Sequence, residues 1–401
     1  MAYEKIFTPI KIRGLELDNR IIVPAMGTIM ANRDGTVNDN YINYVVERAK
    51  NGAMMFLECC SVYHDAGADF SPHLSGDEYI PGFKKLTDAV HAAGGKVGIQ
   101  IYIPAEALPN GRYDNRTKKI LAPEMLFGGA LGDTVVHTED IPKVVAAFGD
   151  AARRANEACF DAIEIHNGHN YMLHQFLSPH FNHRDDGYGG SVENCRKLPL
   201  EVVAAVRANW PEEKPLFLRV SAGDDELYDA KTGKFDGLTL DDVAEFVRQA
   251  HELGVDVCDV SRGNFQSDVG MWEGPNLFLK PGFNLERALY IKEKAGIPVV
   301  AVGRFTKPEV TEKALEAGAD FVAWGKAHLA DPEILKKTRE GRVQDIRYCL
   351  GCDQACIQAY DETYPKTTKQ LHISCMRNPA HEAGLQACRR PDGALGRGGR
   401  C

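Results

Sequence analysis

The sequence predicts a (β/α)8 TIM barrel, a closed ring of eight parallel strands with helices outside, on three observations. Short β-branched, apolar runs recur along the 401 residues, each followed by a longer stretch of helical period. The runs are apolar along their whole length, as strands covered on both faces must be. Polar and ionisable residues collect where the runs end, which is the face on which such a barrel carries its chemistry: Gln100, His166, His169, Arg219, Ser261, Arg304 and Lys326.

In order, the strands are expected at Arg20–Met26, Met54–Ser61, Lys96–Tyr102, Asp161–His166, Leu216–Ser221, Asp256–Ser261, Pro298–Gly303 and Asp320–Gly325. Helices are expected at Asp39–Asn51, Ile80–Ala93, Glu139–Ala158, Val192–Ala208, Leu240–Leu253, Asn284–Lys294 and Lys307–Ala317. Several helices run into a glycine just before the next strand, as in Ala93-Gly-Gly-Lys, Leu253-Gly-Val-Asp and Ala317-Gly-Ala-Asp, where a left-handed cap ends the helix. A doubly wound open sheet rarely needs so many strands, and no Gly-x-Gly-x-x-Gly turn follows the first one. Two irregular stretches, Pro104 to Thr138 and Gly263 to Phe283, read as lids or substrate walls. The barrel is expected over residues 1–345, a cysteine-bearing segment over 346–380, and an irregular tail over 381–401. From Cys388 onward the chain carries four arginines, four glycines and almost nothing apolar, which reads as disorder or as a shifted reading frame.

Composition narrows the function. A hydrophobic fraction of 44% with 26% charged residues is that of an ordinary soluble globular protein. Net charge of −9 argues against nucleic acid, whose phosphates want a basic face. No signal peptide or apolar span is visible, so the expectation is a cytoplasmic protein without a membrane partner. Its eleven cysteines should then be thiols or metal ligands rather than bridges. Four of them, Cys349, Cys352, Cys356 and Cys375, put three thiols in one tight turn and bring a fourth from a distance. An iron–sulfur cube is held this way, each iron taking one soft anionic ligand. Zinc is the lesser alternative, because its sites usually show two Cys-x-x-Cys arms and the second arm here has one cysteine.

The densest polar constellation is His166-Asn-Gly-His169-Asn-Tyr171, at the end of the fourth expected strand. Two imidazoles so spaced can donate to one oxygen and stabilise negative charge on a carbonyl as hydride adds to a conjugated double bond. The Tyr171 phenol can deliver the proton to the neighbouring carbon. Metal ligation, or histidines satisfied by backbone carbonyls, fits the spacing equally well.

The stretch from His166 to Asn194, with its Gln175-Phe-Leu-Ser-Pro, Arg184-Asp-Asp-Gly-Tyr-Gly-Gly and Ser191-Val-Glu-Asn, resembles the signature of the Old Yellow Enzyme superfamily of flavin oxidoreductases. So do Phe7 to Met26 and Gly325-Lys-Ala-His-Leu-Ala-Asp-Pro, and the likeness runs from about Tyr3 to Pro379. With the cysteines, the similarity narrows to the iron–sulfur branch, which includes 2,4-dienoyl-CoA reductase, 2-enoate reductase, trimethylamine dehydrogenase and the bile-acid-inducible NADH:flavin oxidoreductases. The resemblance implies FMN at the barrel mouth, a [4Fe–4S] cluster, and NAD(P)H as electron donor or acceptor. By position, Pro24, Ala25, Met26 and Gly27 would line one face of the flavin and Cys59 would contribute backbone. Gln100 would bond the pyrimidine edge, and Arg219 would set positive charge near N1. Gly303-Arg304 and Gly325-Lys326 would cradle the phosphate. Three departures stand out: lysine at 326 where the family usually has arginine, Gly27 where relatives often carry a hydroxyl or thiol, and a longer gap before Cys375.

The implied activity is hydride transfer between FMN and a C=C bond conjugated to a carbonyl or thioester, in either direction, a 3-oxo steroid or bile-acid thioester being one substrate for desaturation. Oxidative amine demethylation is the rival, with Tyr102, Tyr171 and Trp272 as an aromatic bowl. A non-catalytic electron-transfer protein is another. Long members of the branch continue into a second dinucleotide-binding module, and Gly396-Arg-Gly-Gly lacks the strand and helix of one. Three readings stay open: a separate NAD(P)H/FAD electron-donor protein reduces the cluster, NADH reaches the FMN directly, or the chain is an inactive fragment. Self-association, substrate identity and reaction direction stay open.

Overall fold

The computed structural model describes residues 3–63, 71–104, 136–228, 232–263, 274–357 and 372–378. Most of the two expected wall loops, with Trp272, and the tail over 381–401 lie outside the described residues.

Ile10–Ile12 (β1) and Leu15–Leu17 (β2) form a short antiparallel hairpin. The ring follows: Ile21–Val23 (β3), Met54–Ser61 (β4), Val97–Tyr102 (β5), Ala162–Asn167 (β6), Leu216–Ser221 (β7), Val257–Ser261 (β8), Val299–Ala301 (β9) and Phe321–Ala323 (β10). Every neighbouring pair is parallel, and β10 closes on β3 through Val322 opposite Ile21 and Ala323 opposite Ile22. The expected barrel is thus present, each strand falling inside or beside its predicted run. At β9 the ladder stops at Ala301 rather than Gly303, because Gly303 has left the strand conformation with φ of 152°.

The outer layer contains Asp39–Ala49 (α1), Ile80–Ala92 (α2), Ile141–Glu157 (α3), Met172–Leu177 (α4), Val192–Asn209 (α5), Leu240–Glu252 (α6), Leu285–Ala295 (α7), Pro308–Glu316 (α8), Gly325–Ala330 (α9) and Ile334–Arg339 (α10). Local signals start several of them. Asn38 accepts from the Tyr41 N–H at 3.0 Å, and Thr239 and Asp242 close a reciprocal capping box at the head of α6. At the far end of α6, Gly254 turns left-handed at φ of 105°, and a Cβ there would press within 2.7 Å of the Arg207 side chain.

Strand alternation divides each side chain's fate. On β6, Ile163 and Ile165 pack outward in the large core between strands and helices. Ala162 instead joins Phe217, Val257, Val300, Phe321, Met54 and Phe56 inside the ring, where Phe56 and Phe217 meet edge to face at 4.9 Å. Leu15 and Leu17 of the hairpin belong to this inner cluster and close the N-terminal end of the barrel with apolar surface. Continuing the same period of two toward the strand ends places Gln100, Glu164, His166, Arg219, Asp259 and Ser261 on the inner face, all buried. The lumen is therefore oily at one end and polar at the other.

Beyond α10, residues 346–357 and 372–378 lie against that polar end. Ile373 is buried and its N–H donates to the Thr28 carbonyl at 2.9 Å, while the Asn378 amide reaches the Leu329 carbonyl at 3.0 Å. Among the described residues, no helix is long and apolar enough to cross a membrane.

Candidate active site at the barrel mouth

The end of β6 organises the site. His166 sits opposite Arg219 of β7 in the strand register, and Arg219 opposite Asp259 of β8. The chain then turns through His169 and Asn170, both left-handed at φ of 56° and 65°, a conformation costly for residues with a Cβ. Hydrogen bonds hold it there. The His169 N–H donates to Ser221 Oγ at 2.9 Å, and its Nε2 lies 2.7 Å from Ser261 Oγ. The Asn170 N–H donates to His174 Nδ1 at 2.8 Å, and His174 Nε2 lies 3.1 Å from the buried Asp224 carboxylate.

This turn stacks His166, His169 and Tyr171 together. The two imidazole centroids are 5.0 Å apart, His166 and Tyr171 are 4.9 Å apart, and Tyr102 meets Tyr171 edge to face at 5.0 Å. Burial, reinforced by the nearby Arg219 charge, pushes both imidazoles well below their ordinary titration range. They are neutral near pH 7 and can donate N–H bonds without carrying charge. His166 Nδ1 is buried and meets no hydrogen-bond partner among the described residues.

The other expected residues converge from the remaining strands. Arg219 reaches across the lumen, its Nη1 donating to the Ala25 carbonyl at 3.0 Å, which ties β7 to the loop Pro24–Gly27 after β3. Gln100 is anchored at both ends: the Cys59 thiol donates to its Oε1 at 2.7 Å, and its Nε2 donates to Glu164 Oε1 at 2.7 Å. Cys59 thus offers a side-chain contact besides the backbone role expected of it. Gly325 packs so closely that a Cβ would stand 3.0 Å from Met26 Sδ and 3.3 Å from Pro24, and one on Gly303 would stand 3.1 Å from Asn284. Arg304 and Lys326, expected as free charges, are instead held by protein. Arg304 donates to the carbonyls of Leu277 and Leu279. Lys326 donates to the Pro275 carbonyl at 2.7 Å and pairs with Asp353 at 2.5 Å.

Cys349, Cys352, Cys356 and Cys375 all line one pocket, with Lys326, Leu350, Asp353 and Met376. Burial raises the Cys349, Cys356 and Cys375 thiols, Cys356 to about 12. Among the described residues, no three His, Cys, Asp or Glu side chains converge closely enough to hold a single metal ion.

Sequence reasoning passed over Glu164, Asp259, Glu58 and His174. Glu164 and Asp259 each stand two residues before an expected site residue on the same strand, so strand alternation alone aims them into the lumen. Glu58 accepts from the Thr28 N–H at 2.8 Å and from its hydroxyl, and burial raises its carboxyl to about 7. Only its acidic character in an apolar run could have marked it.

The chain belongs to the NADH:flavin oxidoreductase / NADH oxidase family, whose model matches residues 5–345. It is 34% identical to an NADH oxidase of Thermoanaerobacter brockii, over 94% of this chain and 56% of that protein. It is 29% identical to a cinnamate reductase of Clostridium sporogenes, over 94% of this chain and 58% of the relative. A solved histamine dehydrogenase from Rhizobium sp. 4-9 superposes with a TM-score of 0.75 at 28% identity, covering 94% of this chain and 53% of that one. The chain spans about half the length of these proteins. Membership bears out the superfamily resemblance drawn from the His166–Asn194 stretch.

Proposed function

We propose that the chain binds FMN across the barrel mouth and moves a hydride between it and a C=C bond conjugated to a carbonyl or thioester, with NAD(P)H as the other redox partner. The observation that carries this reading is the stack of two buried, neutral imidazoles against Tyr171, beside the only inward-facing cation described on the barrel strands, Arg219. The residues suit a flavin. Gly325 and Gly303 leave backbone open where a Cβ would intrude, Gln100 keeps an N–H and a lone pair after its two protein bonds, and Arg219 Nε and His166 Nδ1 are buried polar atoms without hydrogen-bond partners among the described residues.

When bound, FMN supplies or accepts the hydride. His166 and His169 hold the substrate's carbonyl oxygen, and their neutrality keeps the donated bonds strong in a dry site. Tyr171 stands next to them as the acid on the α-carbon, and as the base in the reverse direction. Pro24, Ala25, Met26 and Gly27 form the wall beneath, fixed by Arg219. With Arg304 and Lys326 engaged by protein, the Gly303 and Gly325 backbone would hold the phosphate, and the two side chains would add positive charge to the cradle.

A [4Fe–4S] cluster on Cys349, Cys352, Cys356 and Cys375 completes the proposal. Each thiolate of such a cluster binds its own iron, so the four need only surround one pocket, and these four cysteines line the same one. When bound, the cluster passes single electrons. The arm meets the segment next to the proposed flavin wall through the Ile373 N–H and the Thr28 carbonyl, which supports electron exchange between the two groups were both bound. A separate NAD(P)H/FAD protein is a fitting electron partner.

The relative named cinnamate reductase supports an alkene substrate. Amine oxidation is a second reading, favoured by the likeness to histamine dehydrogenase and by the Tyr102–Tyr171 pair, two sides of an aromatic bowl. Two imidazole donors suit an oxyanion better than a cation. Anaerobically purified protein, given NADH or reduced viologen with enones, enoyl thioesters and tertiary amines, decides between them. Turnover of the unsaturated carbonyls upholds the first reading, and turnover of amines alone overturns it.

A further inference from the structure

Two carboxyl groups lie under the barrel mouth with no part in the chemistry above. Glu164 and Asp259 are each 1% exposed, and each is within hydrogen-bonding reach of the other. Glu164 Oε1 receives Gln100 Nε2 at 2.7 Å. Among the described residues, Glu164 Oε2 and both oxygens of Asp259 meet no hydrogen-bond donor. Among the described residues, the one cation nearby is Arg219, whose Nε stands 3.9 Å from Asp259 Oδ1 and whose Nη1 is committed to the Ala25 carbonyl.

The other described groups facing this spot add no charge. From β4 comes the Cys59 thiol, bonded to Gln100; from β5, Gln100 itself; from β6, the neutral His166; from β7, the Phe217 ring; from β8, the side chain of Val257. Two ionised carboxylates facing each other would be two acceptors with no hydrogen between them. They would also leave a buried net negative charge against a single guanidinium, a costly arrangement in a low-dielectric lumen. Two carboxyls sharing a site keep one proton for the same reason.

We infer that Glu164 and Asp259 hold one proton between them, so that this acid pair and Arg219 together are electrically neutral beneath the barrel mouth. The bonding pattern fixes where the proton sits. Glu164 Oε1 already accepts from Gln100, so Oε2 carries the proton toward Asp259, and Asp259 is the carboxylate facing Arg219. Burial raises both carboxyls, the direction that a retained proton requires. Glu164 and Asp259 are positioning residues: Glu164 aims the Gln100 amide, and the pair sets how much of the Arg219 charge reaches the mouth. The shared proton does not depend on any cofactor; its effect on a reduction potential rests on the FMN reading.

The test compares Glu164→Gln, Asp259→Asn and the double variant, all built on Glu58→Gln so that the Glu58 carboxyl does not contribute. Infrared spectroscopy near neutral pH, with exchange into heavy water, should show a deuterium-sensitive carboxylic-acid C=O band in the Glu58→Gln parent. Each single variant should lose it, because either remaining carboxyl ionises beside Arg219. The potential of bound FMN should shift little in the single variants and rise in the double, where Arg219 stands uncompensated and favours the anionic reduced ring. A parent without the band, with the potential stepping upward in each single variant, overturns the inference, as does a band that survives in both. Should the purified protein carry no flavin, the infrared result still decides the shared proton.

Discussion

The barrel mouth and the cysteine arm are built in opposite ways. At the mouth, strand alternation or the turn after β6 aims the side chains inward, and bonds across the barrel hold several of them: His169 by Ser221 and Ser261, Gln100 by Cys59 and Glu164, Arg219 by Ala25. The arm has no strand or helix of its own over residues 346–357 and 372–378. It rests on a few anchors, Ile373 to Thr28, Ser374 to Ala355, Asn378 to Leu329 and Lys326 to Asp353. A site whose geometry comes from the fold is preorganised before anything binds. One whose ligands sit on turns draws much of its order from the metal it holds. The difference predicts that the two regions fail separately.

The largest effect should follow removal of one thiolate. Cys356→Ala should lose all iron while far-ultraviolet dichroism keeps the barrel's signal; iron analysis and dichroism on one sample check this, and joint loss of iron and fold would make the arm part of the barrel's stability. Next, Tyr171→Phe should lower turnover by about 10²- to 10⁴-fold, the span of a lost general acid, with the flavin spectrum and iron content unchanged. An unaltered rate removes Tyr171 from the mechanism.

Glu58 offers a smaller test that belongs to the mouth alone. Its carboxyl is raised to about 7 by burial from an ordinary value of 4.5, so the folded state holds the proton more tightly than the unfolded state. That stability is fully present below the unfolded pKa and is lost as pH rises through about 7. The window amounts to about 3 kcal/mol at 1.36 kcal/mol per unit. Denaturant melts between pH 5 and pH 8 should show this decline, and Glu58→Gln should flatten it. The smallest effect is expected at the seam between the two regions. Asp353→Asn turns the pair with Lys326, a largely sheltered contact, into a hydrogen bond to a neutral amide, a change of about 1 kcal/mol. The outcome to look for is faster loss of iron to a chelator, with melting of the barrel unchanged.

The same contrast decides what could be read from residues alone. Eight strands and the seven long helices announce themselves by period, and Gly254 marks the end of α6 in the sequence itself. The hairpin β1–β2 and the helices α4, α9 and α10 are too short to show a period, so they went unforeseen. Gln100, His166, His169 and Arg219 were legible because a polar side chain at the end of an apolar strand is costly to bury unless a site makes use of it. Arg304 and Lys326 show the limit. Nothing local says that one will turn to the carbonyls of Leu277 and Leu279, or that the other will meet Asp353 on a distant segment. Those partners are chosen by how loops pack, and loop packing leaves no periodic trace.

Gentle denaturation of anaerobically purified holoprotein, followed by chromatography of the released chromophore, tests the central claim most directly. The account predicts FMN in amounts stoichiometric with the chain and no FAD; protein that folds, holds its iron and releases no flavin would contradict it.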